Sequence, residues 1–430
     1  MLFNPGKLTT HITESKTLFP ASIFSLDNGL TFIHQEIAAT PVVVADVWVR
    51  AGATSESDPL FGMAHFLEHM IFKGTASLGP GEFDYNIERI GGISNAATSH
   101  DYTHYYLATA NHYLADTLPH LGELLLNAAI FEDEFMRERD VVLEEIRSCA
   151  DDPDTMGFEA LLKTVYENHP YGRPILGTKK ELMENSPEAM RCFHRRHYQP
   201  ENMTVVIVGG IERDTAWEIV NKTFKNFKNQ DDFPTSNPLA PPQIRDVKRQ
   251  ELILPRIEQA RLIMAWNLPG MDELAIANAL EILSVILGQG RTSRLVNDLR
   301  EEKQLVRGIY TNFSVQKDSS LLTITAYLEP EYLDRVENLI LEHLHRLQIH
   351  GVTEQELKRT QRSLCNDYAF NTETPNQLAS LYGYYNTVAK AQLSVAYPEQ
   401  IQSFNTKKLQ KVAQNYLSLQ DYAVTIMKPY

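Results

Sequence analysis

Apolar residues recur along the chain either at strand spacing or at helical spacing. The same succession of predicted strands and helices occurs twice. Apolar runs predict strands in 25–49 and again in 249–266. Each strand region leads to an apolar helix, and a second helix that opens with an acidic turn follows later in each half. The predicted first helices are 61–72 and 274–287, and the later helices are 132–147 and 353–368. Each half is predicted to end in a short helix and a strand, at 193–198 and 203–208 and at 412–417 and 422–427.

This repeated order predicts an α+β fold built from two homologous domains, each a mainly antiparallel sheet packed with helices. A chain of 430 residues is also longer than a single core usually holds. Residues 229–242 carry four prolines among polar residues, a composition typical of a linker. We therefore expect an N-terminal domain in 1–228 and a C-terminal domain in 243–430.

Composition restricts the classes of protein to which the chain belongs. No apolar stretch reaches the roughly 18 residues of a membrane helix, and residues 1–20 lack the pattern of a signal peptide, so we expect a cytoplasmic chain without membrane insertion. Three cysteines are few and odd in number, which favours reduced, buried thiols. The net charge of −15 argues against a nucleic-acid partner. It suits basic or neutral peptide substrates, although surface acidity that only maintains solubility explains it equally well.

The first helix of the N-terminal half carries His65, Glu68 and His69 at positions i, i+3 and i+4. Polar side chains on one face of an otherwise apolar helix are costly unless they have partners. Two neutral imidazoles one turn apart can bind one divalent ion, and Zn²⁺ favours such nitrogen ligands. The order H-x-x-E-H is that of the inverted zinc peptidases. The alternative is a helix with two surface or hydrogen-bonded histidines.

A three-ligand catalytic zinc site needs one more protein donor. The acidic segment 131–150 offers Glu138 and Glu145, which lie two helical turns apart and therefore near one face of the same helix. The alternative is a solvated helical face, which is what most charge runs are. Spacing within the helix does not decide between the two.

Five stretches of the chain together resemble the pitrilysin/insulinase family of zinc peptidases, and the resemblance covers essentially the whole length. They are 65–70, 72–75, 91–99, 139–145 and 171–177. The resemblance implies that His65, His69 and Glu145 are ligands of one zinc ion. It further implies that Glu68 is the general base and that Glu138 orients a ligand.

The implied reaction is the hydrolysis of amide bonds inside an enclosed chamber. In the family, an inactive domain closes over the active one like a shell, so the two domains of this chain would form half of a clamshell. Aligned without gaps on the first helix, the second carries Asn278, Glu281 and Ile282 at the positions of His65, Glu68 and His69. We therefore expect the metal motif in the N-terminal half alone.

Substrate binding is predicted at strand 92–99, whose small residues permit the close approach of another backbone. By the resemblance, Asn95 and Ala96 bind an extended peptide as an added strand, and Ala97 adjoins them. The alternative is an ordinary core strand beneath a helix. The spacing of three nearby histidines fits structural positions on strand and helix faces: His100, His104 and His112.

One departure from the family concerns the group that holds the scissile carbonyl. Active relatives carry an Arg and a Tyr seven residues apart; here Arg300 is present, but the Tyr position is Arg307, and Tyr310 follows three residues later. Either Tyr310 substitutes from a shifted turn, or another chain supplies the pair. The chain has the length of one subunit of the two-subunit branch that includes the mitochondrial processing peptidase. We therefore expect a dimer, with a heterodimer including a zinc-less relative as one form.

Two other functions stay open at this point. Family relatives in the respiratory cytochrome complex serve as structural subunits and have generally lost intact metal ligands, whereas this chain keeps both histidines and the three carboxylates. A zinc-bearing peptide-binding protein with slow turnover is the other alternative. Metal content, measured beside peptide cleavage, distinguishes these functions.

Overall fold

A computed structural model describes residues 18–57, 60–229 and 240–429. The N-terminal sheet has six strands, β1 (Ser22–Ser25), β2 (Thr31–Glu36), β3 (Val42–Val49), β4 (Ile93–Thr98), β5 (Thr103–Ala110) and β6 (Met203–Gly209). Their order across the sheet is β1-β2-β6-β3-β5-β4, with only β2 and β6 parallel. Strand β4 therefore lies at an edge of the sheet.

Helices cover one face of this sheet and bury a core around Phe32, Val47 and Phe66. Apolar residues at helical spacing form their inner faces. The N-terminal half contains the helices α1 (Met63–Ile71), α2 (Glu82–Glu88), α3 (Leu114–Asn127), α4 (Glu132–Asp151), α5 (Pro153–Tyr166), α6 (Lys179–Glu184), α7 (Pro187–His197) and α8 (Arg213–Phe224), of which α5 does not pack on this sheet.

The C-terminal sheet has five strands, β7 (Lys248–Ile253), β8 (Ala260–Pro269), β9 (Gly308–Val315), β10 (Ser319–Leu328) and β11 (Ala423–Lys428). Their order is β7-β11-β8-β10-β9. The helices are α9 (Leu274–Gly288), α10 (Leu333–His350), α11 (Glu354–Phe370), α12 (Pro375–Val388), α13 (Tyr397–Gln402) and α14 (Thr406–Tyr416), with a π-helical segment at Val296–Glu302.

The two sheets share one topology, and the predicted α+β fold with two similar domains is confirmed. Apart from β1, an additional edge strand of the N-terminal sheet, the last strand of each sheet lies parallel beside the first, as β6 joins β2 and β11 joins β7. The remaining strands then follow in the same antiparallel order. Helix α9 stands where α1 stands in the first domain. The predicted linker lies largely outside the described residues, so the proposed domain boundaries stay a prediction.

Helices exchanged between the domains hold them together. Helix α12 of the C-terminal half packs on the face of the N-terminal sheet opposite α1, where Tyr382 donates a hydrogen bond to Gln35 at 2.6 Å. Gly383 permits this approach, because a Cβ there would lie 2.1 Å from Nε1 of Trp48. Helix α5 in turn packs on the C-terminal sheet. The orientation of the domains is therefore fixed by apolar burial on two sheet faces.

Two further findings concern the composition-based expectations. Among the described residues, no helix has the length and apolar character needed to cross a bilayer. The three cysteines form no disulfide, but each is half-buried rather than buried as expected: Cys149, Cys192 and Cys365. They lie on partly exposed helix faces, where the sequence pattern around a single thiol does not predict burial.

Candidate active site

The start of helix α1 is fixed by a buried carboxylate from the preceding loop. Glu56, only 6% exposed, accepts hydrogen bonds from the backbone N–H of Gly62 at 3.1 Å and of Ala64 at 2.8 Å. These are donors that the helix itself leaves without partners. Gly62 has φ of +80° and lies against Gly177, so neither position accommodates a side chain. The position of α1 along its axis is therefore set from outside the helix.

The apolar face of α1 packs into the core and leaves its polar face toward α4. Phe66 and Leu67 are completely buried, whereas His65, Glu68 and His69 are half-buried on the other side. Burying these polar groups beside the core costs free energy unless each has a hydrogen-bonding or metal partner. The partners come mainly from α4 and β4.

Three donor atoms converge between α1 and α4. The Nε2 atoms of His65 and His69 lie 3.8 and 3.7 Å from Oε2 of Glu145, beyond hydrogen-bonding distance. Two ligand atoms on one tetrahedral zinc ion lie roughly 3.3–3.5 Å apart. The three donor atoms all lie within 4.8 Å of one another, so modest side-chain movements bring them to the spacing of one zinc ion. Within 18–57, 60–229 and 240–429, these three residues are the one cluster of His, Cys, Asp and Glu with such spacing.

The state of His65 suits metal binding. Burial, followed by the nearby charge of His69, lowers the pKa of His65 to about 4, so the ring is neutral near pH 7. Its Nδ1 is buried without a hydrogen-bond partner, and its Nε2 points toward Glu145. With its single proton on Nδ1, the neutral ring presents a lone pair at Nε2 toward Glu145.

Glu138 sits behind His69 and fixes its orientation. Its Oε1 is 2.9 Å from Nδ1 of His69, and its Oε2 is 2.6 Å from Nζ of Lys73. Burial raises the pKa of Glu138, but the hydrogen bonds from His69 and Lys73 outweigh that effect and hold the pKa below its usual value. The ionised carboxylate accepts the Nδ1 proton, so Nε2 of His69 keeps its lone pair for a ligand.

Glu68 stands apart from the three converging residues. Its Oε2 accepts a hydrogen bond of 2.5 Å from the hydroxyl of Thr98, the last residue of β4. Burial raises the pKa of Glu68, which suits a group that exchanges protons near neutral pH. Its carboxylate is therefore held beside the donor cluster without belonging to it.

The predicted peptide-binding strand lies at the open edge of the N-terminal sheet. Strand β4 pairs with β5 along one side, and α1 packs against it. Ala96 packs on the core, while Asn95 and Ala97 are exposed on the other face. Oδ1 of Asn95 accepts a hydrogen bond from the N–H of Ala96. The strand is thus not an ordinary interior strand, and its role in binding stays a prediction.

The predicted carbonyl clamp is not assembled at the donor cluster within the described residues. Arg300 hydrogen-bonds its neighbour Glu301, and Arg307 is exposed and paired with Glu329 at 3.5 Å. Tyr310, 45% exposed, lines a cavity of about 520 Å³ between the domains, together with Cys149. None of these makes a hydrogen bond or ion pair to the three donors.

The neighbouring histidines have structural partners. Nε2 of His100 lies 3.2 Å from the carbonyl oxygen of Arg173, and Nδ1 of His104 lies 3.0 Å from Asp46. The ring of His112 packs at a tilt of 46° against the ring of the adjacent tyrosine. Their geometry agrees with the structural interpretation.

In the second domain, side chains occupy the position equivalent to the donor cluster. Tyr397 of α13 donates a hydrogen bond to Glu281 at 2.8 Å, and Asn278 donates one to Gln400 at 2.6 Å. Ile282 is fully buried in the apolar core. The polar side chains of the second copy of the helix are therefore bonded to residues of their own domain, which fill the position equivalent to the donor cluster.

Sequence reasoning missed the roles of Glu56, Lys73 and Thr98. Lys73 follows His69 by four residues, so helical spacing offered a weak signal for it. Glu56 bonds backbone groups and Thr98 bonds a side chain on another element, and residue patterns give no signal for either contact.

Replacing Glu56 by Gln should destabilise the protein by about 1–3 kcal/mol, because an amide cannot accept hydrogen bonds at both of its heavy atoms. Zinc affinity should fall as the start of α1 loosens. Chemical denaturation and zinc titration measure the two effects. The control is Glu82→Gln, because Glu82 is exposed and accepts a single bond from Gly79 near the start of α2. Equal stability of the two variants would contradict this role of Glu56.

Several known proteins that are similar to this chain are named proteases. The chain is 28% identical over 408 residues to a zinc protease, YmxG, of Bacillus subtilis, covering 94% of this chain and 98% of the relative. It is 29% identical over 414 residues to the zinc protease PqqE of Helicobacter pylori, covering 94% and 92%. The crystal structure of a protease from Helicobacter pylori superposes with a TM-score of 0.90 at 27% identity, covering 95% of this chain and 99% of that one.

Two family matches follow each other along the chain. Residues 31–179 match Insulinase (Peptidase family M16), and residues 185–364 match the Peptidase M16 inactive domain. The matched segments correspond to the half that carries the converging histidines and the half in which that position is closed. The chain belongs to the M16 family, the pitrilysin/insulinase peptidases.

Proposed function

We propose that this protein is a zinc-dependent endopeptidase that hydrolyses extended peptides or unfolded segments in an enclosed chamber. The observation that carries the proposal is the convergence of His65 and His69 of α1 with the distant Glu145 of α4, whose donor atoms all lie within 4.8 Å of one another. These residues would hold the metal, with Glu138 orienting His69. Zinc, when bound, supplies a Lewis acid that lowers the pKa of a water molecule to roughly 7.

Glu68 would serve as the general base. Its carboxylate lies on the same helix face as the histidines, and Thr98 holds one of its oxygens. The other oxygen has no hydrogen-bond partner among the described residues, so it can take a proton from the attacking water. The same carboxyl group then delivers the proton to the leaving amine. This sequence of proton transfers hydrolyses an amide bond.

The substrate would bind as an additional strand on β4. The free edge of that strand offers backbone donors and acceptors to an extended chain, and Asn95, Ala96 and Ala97 leave room beside it. Backbone pairing of this kind selects extended segments rather than a particular residue. The net charge of −15 favours basic or neutral peptides by long-range attraction.

The active assembly would be a dimer in which this chain is the zinc-bearing subunit, half of a clamshell. Arg307 stands where active relatives carry a tyrosine, and the structure brings neither Arg300 nor Tyr310 into contact with the donor cluster. A zinc-less relative would supply the Arg and Tyr that hold the scissile carbonyl. The presence of Arg307 in place of that tyrosine also favours a second candidate function, that of a peptide-binding or structural subunit with little turnover.

Co-purification from the native source, followed by metal analysis and digestion of a peptide mixture, tests these proposals. We expect one zinc per chain and cleavage that rises strongly when the partner is present. Full activity of the purified chain alone would contradict the heterodimer. Bound zinc without cleavage in any assembly would favour the peptide-binding subunit.

A further inference from the structure

Thr98 makes the one side-chain hydrogen bond that Glu68 receives in the described part of the chain, at 2.5 Å to Oε2. Thr98 ends β4, the edge strand, and its side chain points to the face that α1 covers. The contact joins residues thirty positions apart, on different elements. Glu68 is thus positioned by a strand as well as by its own helix.

The distances from the Thr98 hydroxyl to its two neighbours show which of them receives its proton. Thr103 pairs with Thr98 across β4 and β5, and its hydroxyl donates to the carbonyl oxygen of Ala51 at 2.7 Å. The two threonine oxygens are 3.4 Å apart. Thr98 therefore donates its single proton to Glu68, whose oxygen is 2.5 Å away, rather than to the more distant oxygen of Thr103.

The turn that follows Thr98 is anchored in the N-terminal domain. The carbonyl oxygen of Ser99 accepts a hydrogen bond from the N–H of Ala53, and that of His100 accepts one from the N–H of Thr54. Gly52 permits this contact, because a Cβ there would lie 2.3 Å from the oxygen of Ser99. The end of β4 therefore has little freedom to move.

The same turn is anchored in the C-terminal domain. Asp101 accepts a hydrogen bond from the N–H of Lys317 at 3.1 Å, in addition to one from Tyr171 of its own domain at 2.9 Å. Nδ1 of His100 lies 3.2 Å from the side-chain nitrogen Nε2 of Gln316, which is in the C-terminal domain. Both domains thus fix the strand end from which the hydroxyl of Thr98 projects.

We propose that Thr98 is a positioning residue that holds the Glu68 carboxylate in the orientation needed for proton transfer. This rests on the proposed function of Glu68 as general base. With Oε2 bonded to Thr98, the torsion of the carboxylate is fixed and Oε1 faces the reacting water. A misplacement of about 1 Å at a reacting group costs up to about 100-fold in rate. Because Thr98 lies on β4, the same strand would position both the peptide and the base.

The test replaces Thr98 by Val, which keeps the shape of the side chain and removes the hydroxyl. We expect kcat to fall about 10- to 100-fold, with KM and zinc content unchanged, because the backbone edge of β4 and the three ligands are untouched. Thr98→Ser keeps the hydroxyl and should restore most of kcat. The matched control is Thr109→Val on β5, where the hydroxyl is buried without a partner, and kcat should not change.

Crystal structures of the zinc-loaded wild type and Thr98→Val protein give a second readout, independent of activity. We expect the Glu68 carboxylate to have one orientation in the wild type. In the variant we expect it to be displaced or to occupy two orientations. Unchanged kcat with an unmoved carboxylate would overturn the proposal, and so would a joint loss of zinc and kcat. If the wild type cleaves no peptide, the proposed function fails, and the carboxylate orientation alone decides the role of Thr98.

Discussion

Replacing Glu68 by Gln should remove peptide hydrolysis and leave zinc binding intact. Gln keeps the size of the side chain and still accepts the hydrogen bond from Thr98, but it cannot take a proton from water. General base catalysis contributes about 10²- to 10⁴-fold, so kcat should fall by that range. Peptide cleavage and zinc content are measured on the same preparation.

The second domain offers a matched control for this substitution. Glu281 holds the position equivalent to Glu68, and its hydrogen bond from Tyr397 can be accepted by Gln as well. Glu281→Gln should therefore keep both zinc and turnover. A Glu68→Gln protein with wild-type kcat would remove the assignment of the base.

The sequence predicted the fold and the composition of the donor cluster because both leave periodic signals. The repeated order of strands and helices predicted two similar domains, and the five strands of the C-terminal sheet follow the same order as β2 to β6 of the N-terminal sheet. The pair His65 and His69 was visible as one turn of a helix. Glu145 was one of two acidic candidates, and only the packing of α1 against α4 places its Oε2 within 3.8 Å of both imidazoles.

The remaining parts of the site depend on contacts that leave no local pattern. Glu56 bonds backbone N–H groups, which every residue type has, so no spacing identifies it. Thr98 meets Glu68 only because α1 packs against the edge strand. In the second domain, the position equivalent to the donor cluster is filled by Tyr397 of α13, which lies more than a hundred residues beyond its partner Glu281. In each case tertiary packing, rather than periodicity, brings the partners together.

Replacing Glu145 by Gln should remove zinc binding and, with it, turnover. Glu145 is the sole carboxylate of the donor cluster, and it is the one donor contributed by α4. A neutral amide is a much poorer zinc ligand than a carboxylate, and two imidazoles alone hold a divalent ion weakly. Loss of an outer partner of a ligand typically costs roughly 10- to 100-fold in affinity. The loss of zinc affinity in Glu138→Gln should lie in that range, and the loss in Glu145→Gln should be larger.

Zinc affinity is best measured by competition with a chromophoric chelator, and folding by circular dichroism. Glu144→Gln is the control, since Glu144 is the adjacent residue, is exposed and pairs with Arg147. It should bind zinc as the wild type does, because helical geometry turns its side chain about 100° away from that of Glu145. If Glu145→Gln folds and keeps wild-type affinity while Glu138→Gln loses it, then the third ligand is Glu138, and the assignment of the two carboxylates is reversed.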